Sequence, residues 1–154
     1  MTDIELTPAD LGLALDEIVR TVSTTVLELD AVRVDASPDL DDELVARVDI
    51  AGSWVGSLIV RAAGDLADVA ARVMFGGDDI GDAEREDAVG ELANVVAGNL
   101  APLVAAPARL SVPVVPAGRA ALAERRQVAR AQFVIAGRYA LTVAMLEETP
   151  CSTI

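Results

Sequence analysis

The chain contains no histidine and a single cysteine. Without histidine there are no Ser–His or Cys–His triads, no phosphohistidine chemistry and no histidine-ligated zinc. One thiol, Cys151, makes neither an intrachain disulfide nor a zinc cage. It fits a reducing cytosol and reads as an incidental tail residue. Aromatics are only 3% of the residues, and the sole tryptophan, Trp54, reads as core or interface filler. Basic side chains are also few, 12 against 25 acidic, for a net charge of −13 and a pI near 4.2. Such a field repels phosphate backbones and anionic lipid, which disfavours nucleic-acid and membrane-surface roles. The uncharged stretch from Leu92 to Ala108 includes Asn94, Gly98, Asn99, Pro102 and Pro107. It is shorter than the ~20 apolar residues a membrane span needs. The opening Met-Thr-Asp-Ile-Glu lacks the apolar centre of a signal peptide. Phosphate-cradling glycine loops are missing, and the acids from Asp78 to Glu86 fail calcium-loop spacing at Ile80. They read as solubilising charge and helix-start acid.

What is present is an apolar chain of 154 residues, 53% hydrophobic with mean hydropathy +0.42. That is enough for one domain over 1–154, burying roughly two thirds of its unfolded surface. Thr7-Pro8-Ala9-Asp10 marks a helix start, followed by Leu11, Leu15, Ile18, Val22 and Val26 at helical spacing. Ala31 to Asp35 reads as a short strand. Residues 43–50 alternate apolar and polar, and with a strand from Trp54 to Arg61 they form a hairpin through Ala51-Gly52-Ser53. Asp65 is expected to cap a helix that stops at Gly76-Gly77. A long helix spans about Ala83 to Ala106. Leu110 to Val115, broken by Pro113, reads as an edge or irregular strand. Gln127 to Ala136 and Arg138 to Leu146 form a second hairpin on Ala136-Gly137. The order helix, short strand, hairpin occurs twice. The expected fold is therefore α+β, an antiparallel sheet packed against long helices with pseudo-duplicated halves.

Chemistry concentrates on the long helix. At ~100° per residue, Glu91, Asn94 and Gly98 fall within ~40° of Asp87. Val89, Leu92, Val96 and Leu103 fall opposite, on a core face. Two glycines, Gly90 and Gly98, accompany the polar stripe and are expected on the outside with it. Glycine costs about 1 kcal/mol relative to alanine within a helix, so close approach of something to the backbone is implied. Periodicity alone leaves two readings open, a partner-docking face or an ordinary solvated one. Arg119, Arg125, Arg126 and Arg130 form the one basic cluster, read either as a solvated loop or as a contact for an acidic partner.

Asp87-x3-Glu91-x2-Asn94 resembles the Asp/Ser-x3-Glu-x2-Asn motif of the CheC/CheX/FliY family, phosphatases of the chemotaxis receiver CheY. The longer run Asp-Ala-Val-Gly-Glu-Leu-Ala-Asn, the Ala-Gly-Asn at 97–99, Trp54-x-Gly56 and Leu110-Ser111-Val112-Pro113 resemble CheX in particular. The resemblance implies a phosphatase acting on the aspartyl phosphate of a CheY-like receiver, which carries its own Mg2+, with no cofactor in this chain. Asn94 would hold the attacking water, Glu91 would pair with the receiver's lysine, and Asp87 would support docking. Gly90 and Gly98 would admit the receiver's loops. It also implies a homodimer. In the first helix the equivalent slots hold Leu13, Glu17 and Arg20, so that copy is expected to be inactive. A basic residue expected soon after Asn99 is replaced by Leu100-Ala101-Pro102. The alternative is a non-catalytic, dimeric CheX-like adaptor that binds a receiver or another signalling protein.

Overall fold

A computed structural model describes residues 7–36, 40–117 and 125–148. Cys151, Arg119 and residues 37–39 lie outside the described residues.

Helix α1 (Pro8–Val22) starts where the sequence places it. The Thr7 hydroxyl accepts from the Asp10 N–H at 3.2 Å, and the Asp10 carboxylate accepts from the Thr7 N–H at 3.1 Å. This reciprocal box satisfies donors that a helix start otherwise leaves open. Leu11, Leu15, Val19 and Val22 are buried along one face. The helix widens into a π-helical turn (Ser23–Leu27) and ends at Glu28, φ 58°, where the chain turns toward β1.

The described residues form six strands: β1 (Ala31–Val34), β2 (Leu44–Ala51), β3 (Gly56–Ala62), β4 (Arg109–Leu110), β5 (Arg126–Ile135) and β6 (Tyr139–Glu147). They form one antiparallel sheet in the order β1-β5-β6-β3-β2-β4. Exchanging the halves (β1 with β4, β2 with β5, β3 with β6) returns the same order reversed. The duplication read from the sequence is thus a pseudo-two-fold whose halves interlock. Each half's short strand pairs with the hairpin of the other half. The inward residues Ala46, Val48, Leu58, Val60, Ala131, Phe133, Val143 and Met145 form one core with the buried faces of the helices.

The two Ala-Gly turns differ. Ala136 and Gly137 both take positive φ, 54° and 67°, as a tight mirror-image hairpin turn requires. Gly52 instead has the main chain pressed against it. A Cβ there would collide with the carbonyl oxygens of Ala105 and Pro107, so this glycine lets the exit of the long helix lie against the first hairpin.

Several expectations are corrected. Helix α2 (Gly64–Phe75) begins one residue before Asp65, with Ala63 at the cap position, and the Asp65 carboxylate accepts from the Leu66 N–H at 2.9 Å instead. Strand β3 starts at Gly56, with Trp54 in the connection and packed on the core. Of the run Leu110 to Val115, only its first residue lies in a strand, and Val114 makes an isolated bridge to Arg47. Proline cannot donate to a ladder, which confines pairing to either side of Pro113.

A polar stripe on the long helix

Helix α3 (Asp82–Val104) carries the candidate site. Its start is neutralised by acid: the Gly81 N–H donates to Glu84 at 3.0 Å, and Asp82 pairs with Arg85 at 2.7 Å. Arg85 also reaches Asp68 of α2 at 3.6 Å. Exposed pairs of this kind contribute about 0–1 kcal/mol. The two helices are therefore joined mainly by burial, through Leu66, Ala67, Ala70 and Ala71 on α2 and Ala88, Val89 and Leu92 on α3. Alanines on both sides let the axes approach closely.

The outward stripe is real as geometry. Asp87, Glu91 and Gly98 are exposed and Asn94 is half-buried, while Ala88, Val89, Leu92, Ala93, Val96 and Ala97 are buried. Among the described residues, nothing hydrogen-bonds or pairs with the side chains of Asp87, Glu91 or Asn94. Asn99 differs: its amide donates to the Val95 carbonyl at 2.8 Å and is spent within the helix. Of the two nearby asparagines, only Asn94 keeps its whole amide for something outside the helix.

Two members of the stripe pattern are placed differently from the sequence reading. Leu103 is 56% exposed, not core. The buried side of α3 turns toward Ala97, Leu100 and Ala101 in its last turns, because a long helix crossing a twisted sheet does not keep one face inward along its length. Gly90 is buried, not outside: a Cβ there would lie 3.4 Å from Val115 and 3.5 Å from Pro113. The chain's own segment packs over that position, at ordinary contact distance from an added Cβ. Gly98 is open: a Cβ added there would have nothing within 4 Å.

The segment over Gly90 is held from the sheet. The Ser111 hydroxyl accepts from the Asp49 N–H at 2.8 Å, and the Ser111 N–H donates to the Asp49 carbonyl at 2.9 Å. This clamp sets Val112, Pro113 and Val115 as one wall of a groove of about 610 Å³, with Met74 and Phe75 of α2 as the other and Asp87 and Glu91 at its margin. Val112 is 82% exposed and Phe75 53%. Sequence reading missed this apolar flank. The signal was Phe75 directly before a glycine pair, too far along α2 to reach the core.

The equivalent ridge of α1 presents Leu13 and Glu17, with Arg20 paired to Asp16 at 3.2 Å, so no free amide is offered there. Arg125 and Arg130 lie across the sheet from the helices, and Arg126 pairs with Glu147 at 2.8 Å. Among the described residues no acidic or thiol cluster is arranged to hold a metal ion, and no helix is long and apolar enough to cross a membrane.

The family model described as "Chemotaxis phosphatase CheX" matches residues 44–136, more than half the chain. None of the curated proteins compared with the chain matches it. Solved structures similar over nearly the whole chain include three CheX structures. CheX from Vibrio vulnificus superimposes with TM-score 0.71 at 18% identity, covering 94% of this chain and all of that one. CheX from Desulfovibrio desulfuricans gives 0.65 at 20% identity, covering 90% and 99%. A CheX–CheY complex with BeF3 and Mg2+ from Borrelia burgdorferi gives 0.64 at 18% identity, covering 94% and 100%. These likenesses establish a shared fold. Together with the family match, they show that the chain belongs to the CheX family of chemotaxis phosphatases.

Proposed function

We propose that this chain hydrolyses the aspartyl phosphate of a CheY-like receiver, using one face of α3. The observation that carries the reading is the unpartnered carboxylate–carboxamide pair, Glu91 and Asn94, one turn apart on the outer side of a rigid helix. The fold shared with a CheX solved together with CheY supports it.

In this reading α3 lies across the receiver's active site. Glu91 pairs with the receiver's lysine and fixes the helix in register. Asp87 assists docking at the helix start, and Phe75 and Val112 offer apolar surface beside it. The Asn94 amide holds a water in line with phosphorus, its carbonyl oxygen accepting from that water. The water oxygen bonds to phosphorus as the acyl P–O bond breaks, yielding inorganic phosphate and a carboxylate. A carboxylate is a good leaving group and needs no general acid from this chain. Positioning supplies the acceleration, and an amide suits the task because it donates and accepts at any ordinary pH. The receiver brings the Mg2+. The protein acts as a homodimer in the cytosol, with α3 as the single active copy in each chain.

The test is phosphate loss from a phosphorylated receiver with and without the protein. Wild type accelerates it. Asn94→Ala removes the acceleration, by on the order of 100-fold or more, while binding persists; Glu91→Ala chiefly weakens binding, by about tenfold. Binding without acceleration by wild type, on receivers from the same genome, would establish the adaptor instead.

A further inference from the structure

On the side away from the helices, the centre of the sheet is covered. Ser57, Ile59, Thr142 and Leu146 face that side and are all buried. Above them lies a pocket of about 260 Å³ lined by Ile59, Gln127, Thr142 and three arginines, Arg61, Arg125 and Arg130. No described lining residue is acidic, in a chain with 25 acidic side chains and 12 basic ones. Register explains the convergence. Arg61 of β3 sits opposite Thr142 of β6, and Arg130 of β5 sits opposite Ala144, two residues along the same face. Such neighbours are about 5 Å apart directly and about 7–8 Å diagonally, well within the reach of arginine.

The three guanidinium groups are not equally committed. Arg125 donates to the Ser57 hydroxyl and lies 3.8 Å from Asp49. Arg61 is 3.9 Å from Glu43, the limit of an ion pair. Arg130 has no ion pair or hydrogen bond among the described residues. Thr142 is only 3% exposed, yet its hydroxyl oxygen has no hydrogen-bond partner among the described residues. A buried hydroxyl without a partner is unfavourable, and Arg130 brings positive charge to the pocket with no carboxylate beside it among the described residues.

We propose that this pocket binds a small phosphate-bearing anion, with Arg61 and Arg130 as donors and the Thr142 hydroxyl as its buried anchor. Guanidinium forks match phosphate oxygens in pairs, and a hydroxyl supplies a further donor from the floor. The volume falls below the roughly 300–1,000 Å³ of pockets for drug-sized ligands. It suits a phosphate carrying at most a few further atoms, either a phosphomonoester or free phosphate. The site lies across the sheet from the α3 stripe and stands independently of the activity proposed there.

Titration calorimetry of the full chain with inorganic phosphate, ribose 5-phosphate and citrate tests this. The pocket binds at least one of the two phosphates saturably, at one site per chain, and does so more tightly than citrate. Tighter binding of the ester identifies a phosphomonoester, and equal binding identifies phosphate itself. Arg130→Gln and Thr142→Val each weaken binding about tenfold. Arg126→Gln, which removes a nearby exposed arginine outside the pocket, leaves it unchanged. Arg130 is exposed, so its variant keeps the fold even if Thr142→Val does not. No saturable binding of either phosphate, preference for citrate, or equal loss in Arg126→Gln and Arg130→Gln would overturn the proposal.

Discussion

Gly98 separates a bare docking ridge from a solvated one. A Cβ there meets nothing within 4 Å among the described residues, and glycine within a helix costs up to about 1 kcal/mol relative to alanine. Gly98→Ala is therefore expected to raise unfolding free energy by up to about 1 kcal/mol, read from urea melts. If the gap is kept for a receiver, the same variant dephosphorylates it more slowly. A stabilised variant with the wild-type rate would remove Gly98 from the docking surface. At Gly90 an added Cβ would sit in ordinary contact with Val115 and Pro113, so the same variant there reads packing within the chain and not a gap open to a partner.

At the scale of elements, two local devices hold the site and its supports. Ser111 ties the segment after α3 to strand β2 through two hydrogen bonds to Asp49. Ser111→Ala leaves the Asp49 N–H without that partner, an expected loss of about 1–3 kcal/mol in thermal or denaturant unfolding. The groove wall built by Val112 and Pro113 then loosens, so receiver affinity falls more than the turnover of bound receiver; an unchanged affinity would show that this wall is not used. The start of α1 carries a pH signature. Hydrogen bonds from the Thr7 hydroxyl and backbone N–H hold the Asp10 carboxyl below its ordinary value. A depressed folded-state pKa stabilises above the unfolded value and is lost as pH falls through the folded one. Asp10→Ala should therefore destabilise at neutral pH, and its difference from wild type should vanish in strong acid. A difference independent of pH would assign the effect to helix propensity instead.

For the molecule as a whole, the interlocked sheet is the decisive feature. Among the described residues, strand β1 pairs only with β5 of the other half, and β4 only with β2. Neither half can complete its sheet or cover its core alone. Residues 1–78 and 79–154 produced separately are expected to lack a cooperative melt by circular dichroism. The intact chain should unfold in one transition with matching calorimetric and van't Hoff enthalpies. A sigmoidal melt from either half would show that the halves are independent domains.

Local pattern made much of this molecule legible in its residues. The 3.6-residue period placed the helices, the alternation of residues 43–50 placed β2, and the spacing of Asp87, Glu91 and Asn94 put them on one outward stripe. These are properties of neighbours along the chain, and a helix or strand imposes them wherever it sits. Contacts between segments distant in sequence were not legible. Pro113 and Val115 over Gly90, the rotation that exposes Leu103, the apolar flank at Phe75 and Val112, and the meeting of Arg61, Arg130 and Thr142 depend on how strands pair and how a long helix crosses a twisted sheet. Only the assembled sheet decides which side chains share a face, because that register is set by the packing of the whole core.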